Sequence, residues 1–234
     1  MNQAHPWKVA FRFIAYGGMA TLLTVLGCIS WLDLPTATWI HARGLDSYLW
    51  MRHFLDFPVI VGPIAALWLF VFAVRRNFKP PAADERAWFV ISATMLASLE
   101  AKDILKIIFG RTWPREMHPL TLHSGDPDAM FDTISRGYIN DGVHGFYWLS
   151  GASKTFAAFP SGSTTALVAT LVPIALLYPR TRTAIATFIA ISVTAFVLTN
   201  THFISDTIAG IYLGGICGLI AFAVITEGRS TELR

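Results

Sequence analysis

Charge is what this chain has little of. Of its 234 residues only 14% are charged while 54% are hydrophobic, and the mean hydropathy is positive. A soluble domain carries charge on about a quarter of its residues, so a water-soluble globule is excluded. The formal net charge is +3, from 18 Lys and Arg against 15 Asp and Glu, and the basic residues are dispersed. That excludes the concentrated basic footprint of a nucleic-acid binder. Two cysteines, Cys28 and Cys217, both inside apolar stretches, read as small core residues and leave no disulfide framework or Cys-rich metal site. Internal repeats and low-complexity segments are absent as well. The first apolar run is too long for a signal peptide and has no small-residue cleavage site, so no cleavable leader is expected.

What the chain does have is a series of apolar runs close to the roughly 20 residues that carry a helix across a bilayer. They predict an all-α, polytopic membrane protein: one domain over 1–234, a bundle of six transmembrane helices. The spans fall at about 11–32, 57–75, 87–109, 161–178, 182–200 and 203–225, with a long loop at about 110–160. The third span is the least apolar, because Glu100, Lys102, Asp103 and Lys106 crowd its second half. Polar groups at that depth face a bundle interior or an aqueous cleft. The stretch from Tyr48 to Phe57 has the aromatic character of an interfacial helix. GIYLG, Gly210 to Gly214, reads as a small-residue helix contact.

Basic residues orient the bundle. Lys8 and Arg12, then Arg75, Arg76, Lys79 and Arg86, then Arg180 and Arg182, and finally Arg229 and Arg234 all fall on one side, which the positive-inside rule makes cytoplasmic. Both termini are expected there. Lys102, Lys106, Arg111, Arg115, Arg136 and Lys154 gather at the opposite face. An anionic ligand outside accounts for them, as does pairing with Asp126, Asp128, Asp132 and Asp141 of the long loop. A loop of some fifty residues is unusual unless it is functional.

Three pieces meet at that outer face. LKIIFGRTWPRE, Leu105 to Glu116, brings Lys106 as a point charge and Arg111 as a planar fork toward phosphate. PSGST, Pro160 to Thr164, opens the fourth span. Its proline, serine and glycine suit a helix start, and the N–H groups of Ser161, Gly162 and Ser163 are expected to face an anion. In NTHFISDTIAG, Asn200 to Gly210, His202 and Asp206 stand four apart and so share a helix face. An aspartate that accepts one imidazole N–H leaves the other nitrogen free to attack an electrophile. Two such ligands do not make a metal site.

With these residues in view, the chain resembles the type 2 phosphatidic acid phosphatase (PAP2) superfamily. The family pattern is Lys, six residues, Arg-Pro; then Pro-Ser-Gly-His; then Ser-Arg, five residues, His, three residues, Asp. Lys106, Pro114, Pro160, Ser161, Gly162, His202 and Asp206 match it, over about residues 100–215. Trp113 stands where the first motif has Arg, Ser163 where the second has His, and Ala195 and Phe196 where the third has Ser-Arg.

The resemblance implies an integral phosphatase that needs no cofactor or metal and acts on an amphiphilic phosphate or diphosphate among membrane lipids. A lipid phosphomonoester, undecaprenyl diphosphate and lipid A are the substrate types. The expected place is a bacterial inner membrane, with the site facing the periplasm or exterior. By resemblance, His202 is the nucleophile that becomes a phosphohistidine, Asp206 orients it, and Lys106, Arg111, Arg115, Ser161, Gly162 and Ser163 bind phosphate. The family's second-motif histidine protonates the leaving alkoxide, and a serine cannot do so near neutral pH. Three readings stay open: another acid, with His144 nearest and His118 and His123 in the same loop; a diphosphate substrate whose phosphate leaves without a proton; or an inactivating change at Ser163. A lipid-binding or transport protein and a lipid phosphotransferase are the alternatives to a hydrolase.

Overall fold

The computed structural model describes residues 6–115 and 137–232. Six long helices, labelled here α1 to α6, account for most of them: Pro6–Ala42, Phe57–Arg75, Ala83–Phe109, Gly162–Leu177, Arg182–Leu198 and Ile204–Glu232. Among the described residues there is no strand, only isolated backbone bridges. The protein is an all-α bundle. By length and composition α1, α2, α5 and α6 are apolar enough to cross a membrane; α4 is apolar but shorter, and α3 carries the charges noted above. Large apolar side chains face outward along α1 and α2, among them Phe11, Leu23, Trp31, Val59, Leu67 and Phe70. Lipid is the solvent that tolerates such a surface, since each helix satisfies its own backbone.

α1 is longer than the apolar run alone suggests and includes Asp33. Pro35 has no N–H to give the carbonyl one turn earlier, and the wide π-helical turn Cys28–Leu32 lies beside that gap. Helicity resumes at Asp33 and runs to Ala42. The Tyr48 to Phe57 stretch forms a 3-10 helix over Leu49–Asp56 that leads into α2. α3 begins with Glu85 accepting the Ala82 N–H at 3.1 Å and ends at Gly110, which adopts a left-handed conformation with φ 54°. A side chain there would collide with the Tyr147 carbonyl, so the chain turns sharply out of α3 only because the residue is glycine.

α4 and α6 form the centre of the bundle. A Cβ on Gly210 would come within 2.7 Å of the Ser161 carbonyl, and one on Gly214 within 2.9 Å of Val168 Cβ. The small-residue motif therefore lets the two helices approach closely, as expected of it. This contact sets the first turn of α4 against the first turn of α6. The glycines thus bring the second and third sequence motifs together.

In the long loop, the described part holds a single helical turn, Tyr138–Asp141, and a short 3-10 turn, Lys154–Phe156. Arg111 bridges through its backbone to Phe146 and Ala157, and Trp113 to Gly137. These pairings fold the loop back over the end of α3. Arg136, His118, His123, Asp126, Asp128 and Asp132 lie outside the described residues.

Candidate active site

A cleft of about 380 Å³ opens where α2, α3, the start of α4 and the α5–α6 turn meet. Pro58, Val59, Leu99, Lys102, Lys106, Trp113, Gly162, Ser163, Thr201 and His202 line it. Four of the residues singled out in the sequence, Lys106, Gly162, Ser163 and His202, therefore share one cavity. Lys102 joins them. It lies one helical turn before Lys106, a spacing that placed it on the same face. Its ammonium is paired with Asp103.

Lys106 donates to the Ala157 carbonyl at 2.5 Å and its Nζ lies 5.3 Å from the centre of the Trp113 ring. Trp113, in the place of the family's arginine, is buried with its ring 5.3 Å from the His202 imidazole. It walls the cleft with an aromatic face where the family pattern has a cation.

His202 is 4% exposed, and its Nδ1 lies 3.6 Å from Asp206 Oδ2, too far for a hydrogen bond. Such contacts commonly tighten only when substrate binds. Asp206 is fully buried; Oδ2 accepts the Phe203 N–H at 2.9 Å and Oδ1 accepts from Arg111 Nη1 at 2.5 Å. The imidazole sits in the turn between α5 and α6. Burial pushes its pKa down, against the opposing pull of the Asp206 carboxylate. That shift favours the neutral ring, which is the form a nucleophile needs.

Three expected phosphate contacts are placed differently. Arg111 is fully buried and faces carboxylates, not the cleft: Nη2 donates to Asp33 at 2.7 Å and Nη1 to Asp206 and to Ser205 Oγ, each at 2.5 Å. Its guanidinium is sandwiched by Phe146 and Phe203 at 4.9 and 4.4 Å. An arginine in an apolar site must have its charge compensated, and two carboxylates do so here. Arg115 reaches Asp46, donating to its carbonyl at 3.2 Å and its carboxylate at 3.3 Å. The Ser161 N–H is taken by the Asp206 carbonyl at 3.0 Å, and its hydroxyl caps α4 through the Thr164 N–H at 3.4 Å. Close packing at Gly210 delivers that carbonyl.

His144 is half-buried beside Arg111, its Nε2 3.3 Å from Nη2. Burial and then the guanidinium charge push its pKa down. It is not among the residues that line the cleft. Asp33 is the site residue that the sequence reading missed: it lies on α1, far from every motif. Among the described residues no three His, Cys, Asp or Glu side chains gather as a metal-binding group.

A family model described as the PAP2 superfamily matches residues 86–229. No curated protein and no solved structure matches the chain.

Proposed function

The chain belongs to the PAP2 superfamily, and from that premise we propose that it is a membrane-integral phosphatase acting on a lipid diphosphate or lipid phosphate through a phosphohistidine. The observation that carries the proposal is the single cleft shared by His202, Lys102, Lys106 and the start of α4. A phosphate there meets two ammonium groups and the positive end of a helix, which stabilise the charge on a transferring phosphoryl group.

In the proposed reaction, the imidazole nitrogen of His202 on the side away from Asp206 attacks phosphorus. The bond from phosphorus to the leaving oxygen breaks, and that oxygen keeps the electron pair. Asp206 balances the positive charge that grows on the ring. Water then attacks the phosphohistidine, the phosphorus–nitrogen bond breaks, and inorganic phosphate leaves with the oxygen and both protons of the water, as dihydrogen phosphate, while His202 regains its lone pair. Gly162 and Ser163 supply the helix-start contacts, since the Ser161 N–H is engaged by Asp206. Among the described residues that line the cleft, His202 is the sole imidazole. That favours a diphosphate, whose phosphate leaving group departs without a proton.

The lipid nature of the substrate is supported by a second cavity, of about 400 Å³, between α2, α3 and α4. Its wall continues that of the cleft: Val61 and Ala65 follow Val59 on α2, and Met95, Ser92 and Trp88 follow Leu99 on α3. From Leu99 to Trp88 α3 climbs about 16 Å, near half of the roughly 30 Å apolar core of a bilayer. A hydrocarbon chain fits there while its phosphate occupies the cleft. The proposal includes six crossings, cytoplasmic termini and a site at the outer face.

Ser163 favours a second reading, a phosphate-binding protein with impaired turnover. The two separate on phosphate release in detergent from undecaprenyl diphosphate, phosphatidic acid, phosphatidylglycerol phosphate and lipid A, each given to the wild-type chain, His202→Ala and Ser163→His. Release by the wild type that His202→Ala abolishes supports the enzyme. Activity confined to Ser163→His supports the binding protein, and label passed to a lipid instead of water identifies a phosphotransferase.

A further inference from the structure

Asp33 is a charged residue buried to 1% exposure on a helix that lies wholly outside the segment matching the family. Its side-chain hydrogen bonds to described residues lead to the site. Oδ2 accepts from Arg111 Nη2 at 2.7 Å and from the Ser205 hydroxyl, and Oδ1 accepts the Ser205 N–H at 3.1 Å. Ser205 Oγ in turn accepts from Arg111 Nη1 at 2.5 Å. The result is a closed ring through Asp33, Ser205 and Arg111, with Asp206 attached to the same guanidinium nitrogen as Ser205.

The ring does two things. It satisfies a backbone N–H in the first turn of α6, a group that every helix start leaves without an internal partner, and so fixes the turn that bears Asp206. It also settles charge. With Arg111 alone, Asp206 would form a neutral pair and have little charge left for an imidazole. With Asp33 on the other nitrogen the buried cluster holds two carboxylates and one guanidinium, a net of one negative charge. That matches the single positive charge that develops on His202 during attack.

We propose that Asp33 is a positioning residue of the active site, which through Arg111 and Ser205 holds the first turn of α6 and keeps the Asp206 charge available to His202. The inference rests on the phosphatase reading for its kinetic form, but the geometry stands without it. The charged groups facing His202 are Asp206 from α6 and Lys106 and Lys102 across the cleft, with Arg111, Asp33 and His144 behind Asp206.

The test compares the full chain with Asp33→Asn, Asp33→Glu and Ser205→Ala. Asp33→Asn keeps the acceptor for the Ser205 N–H and removes the charge. It is expected to lower kcat roughly 10- to 100-fold, the loss usual when a group that orients an imidazole is removed, with KM nearly unchanged. The acid limb of the pH profile is expected to move to lower pH, because an imidazolium next to less negative charge is harder to form. Asp33→Glu is expected to restore the limb. A folded Asp33→Asn with wild-type kcat and pH profile overturns the inference. Should Asp33→Asn fail to fold, Ser205→Ala decides: a few-fold drop in kcat at constant KM supports the ring, and no change overturns it.

The failure of the phosphatase reading is told apart by a readout that needs no turnover, the rate at which diethyl pyrocarbonate modifies His202, followed by mass spectrometry. Slower modification in Asp33→Asn is expected even in a chain without activity, at a pH above the acid limb where the ring is neutral in both chains and only its nucleophilicity differs. Equal rates, or a wild-type His202 that resists the reagent, overturn the inference.

Discussion

His202 has two sides, and they are built differently. Behind it lies a polar network in which Arg111, Asp33, Ser205 and Asp206 are all at or near zero exposure and both terminal guanidinium nitrogens of Arg111 are engaged, while its Nε has no hydrogen-bond partner. In front lies an open cleft where Lys106 finds a backbone carbonyl and the face of a tryptophan, and Lys102 a neighbouring carboxylate. The rear network already compensates its cation, so an anion has no place there. The front carries positive charge without an equal number of buried carboxylates, so an anion does. The same kind of residue, a basic one, thus serves as scaffold on one side and, in the proposed reaction, as ligand on the other.

The comparison breaks most sharply if substitutions on the two sides have the same effect. Arg111→Met removes the cation that bridges two buried carboxylates, and is expected to destabilise the fold by about 3–5 kcal/mol, read as a fall in the thermal midpoint in detergent. Lys106→Met is expected to leave that midpoint within a few degrees while lowering kcat/KM by about 10- to 100-fold, near the value of one charge-assisted contact to phosphate. An Arg111→Met protein of normal stability would mean that the rear network is not structural.

The apolar cavity between α2, α3 and α4 is the proposed seat of the hydrocarbon chain. Ser92→Phe puts a ring into the cavity beside Met95 and Trp88. It is expected to lower kcat/KM for a long-chain substrate about tenfold and to leave a short-chain phosphate unaffected. Parallel losses on both substrates would place the chain elsewhere.

The smallest effect is in the pH profile. Attack needs neutral His202, and burial disfavours its protonated form, so the acid limb of kcat/KM is expected below about 6.5, the ordinary imidazole value. Activity is full above that limb and is lost as pH falls through it. An acid role for His144 would act the opposite way: its pKa is also pushed down, so the rate would already fall as pH rises toward 7, and His144→Gln would abolish it. A profile flat through neutrality, unchanged by His144→Gln, agrees with a leaving group that needs no proton.

Much of this arrangement was legible in the sequence, for identifiable reasons. Apolar runs must be near bilayer length, so the helices fell close to where they were expected; the four-residue spacing of His202 and Asp206 read as one helix face, whereas His202 lies in the turn before α6 and only Asp206 is helical. α1 ran past its expected end because an aspartate interrupts the apolar pattern at position 33 without interrupting the helix. Arg111 read as a phosphate ligand since its buried partner lies 78 residues away, a distance at which no local pattern speaks. The Ser161 N–H read as open to an anion for a related reason: what engages it is the backbone of α6, and a hydrogen bond to a carbonyl has no signature in side chains. Lys102 was legible as one of the basic residues gathered at the outer face, and its place one turn before Lys106 puts it in the same cleft.

The account rests on His202 becoming covalently phosphorylated. The direct measurement is to mix the purified chain with a lipid diphosphate radiolabelled in its terminal phosphate, quench within the first turnover in alkali, and map the label. An alkali-stable, acid-labile phosphate on the peptide that contains His202, absent from His202→Ala, is the expected result. Phosphate released by the wild type with no label on that peptide, or released equally by His202→Ala, would contradict the account.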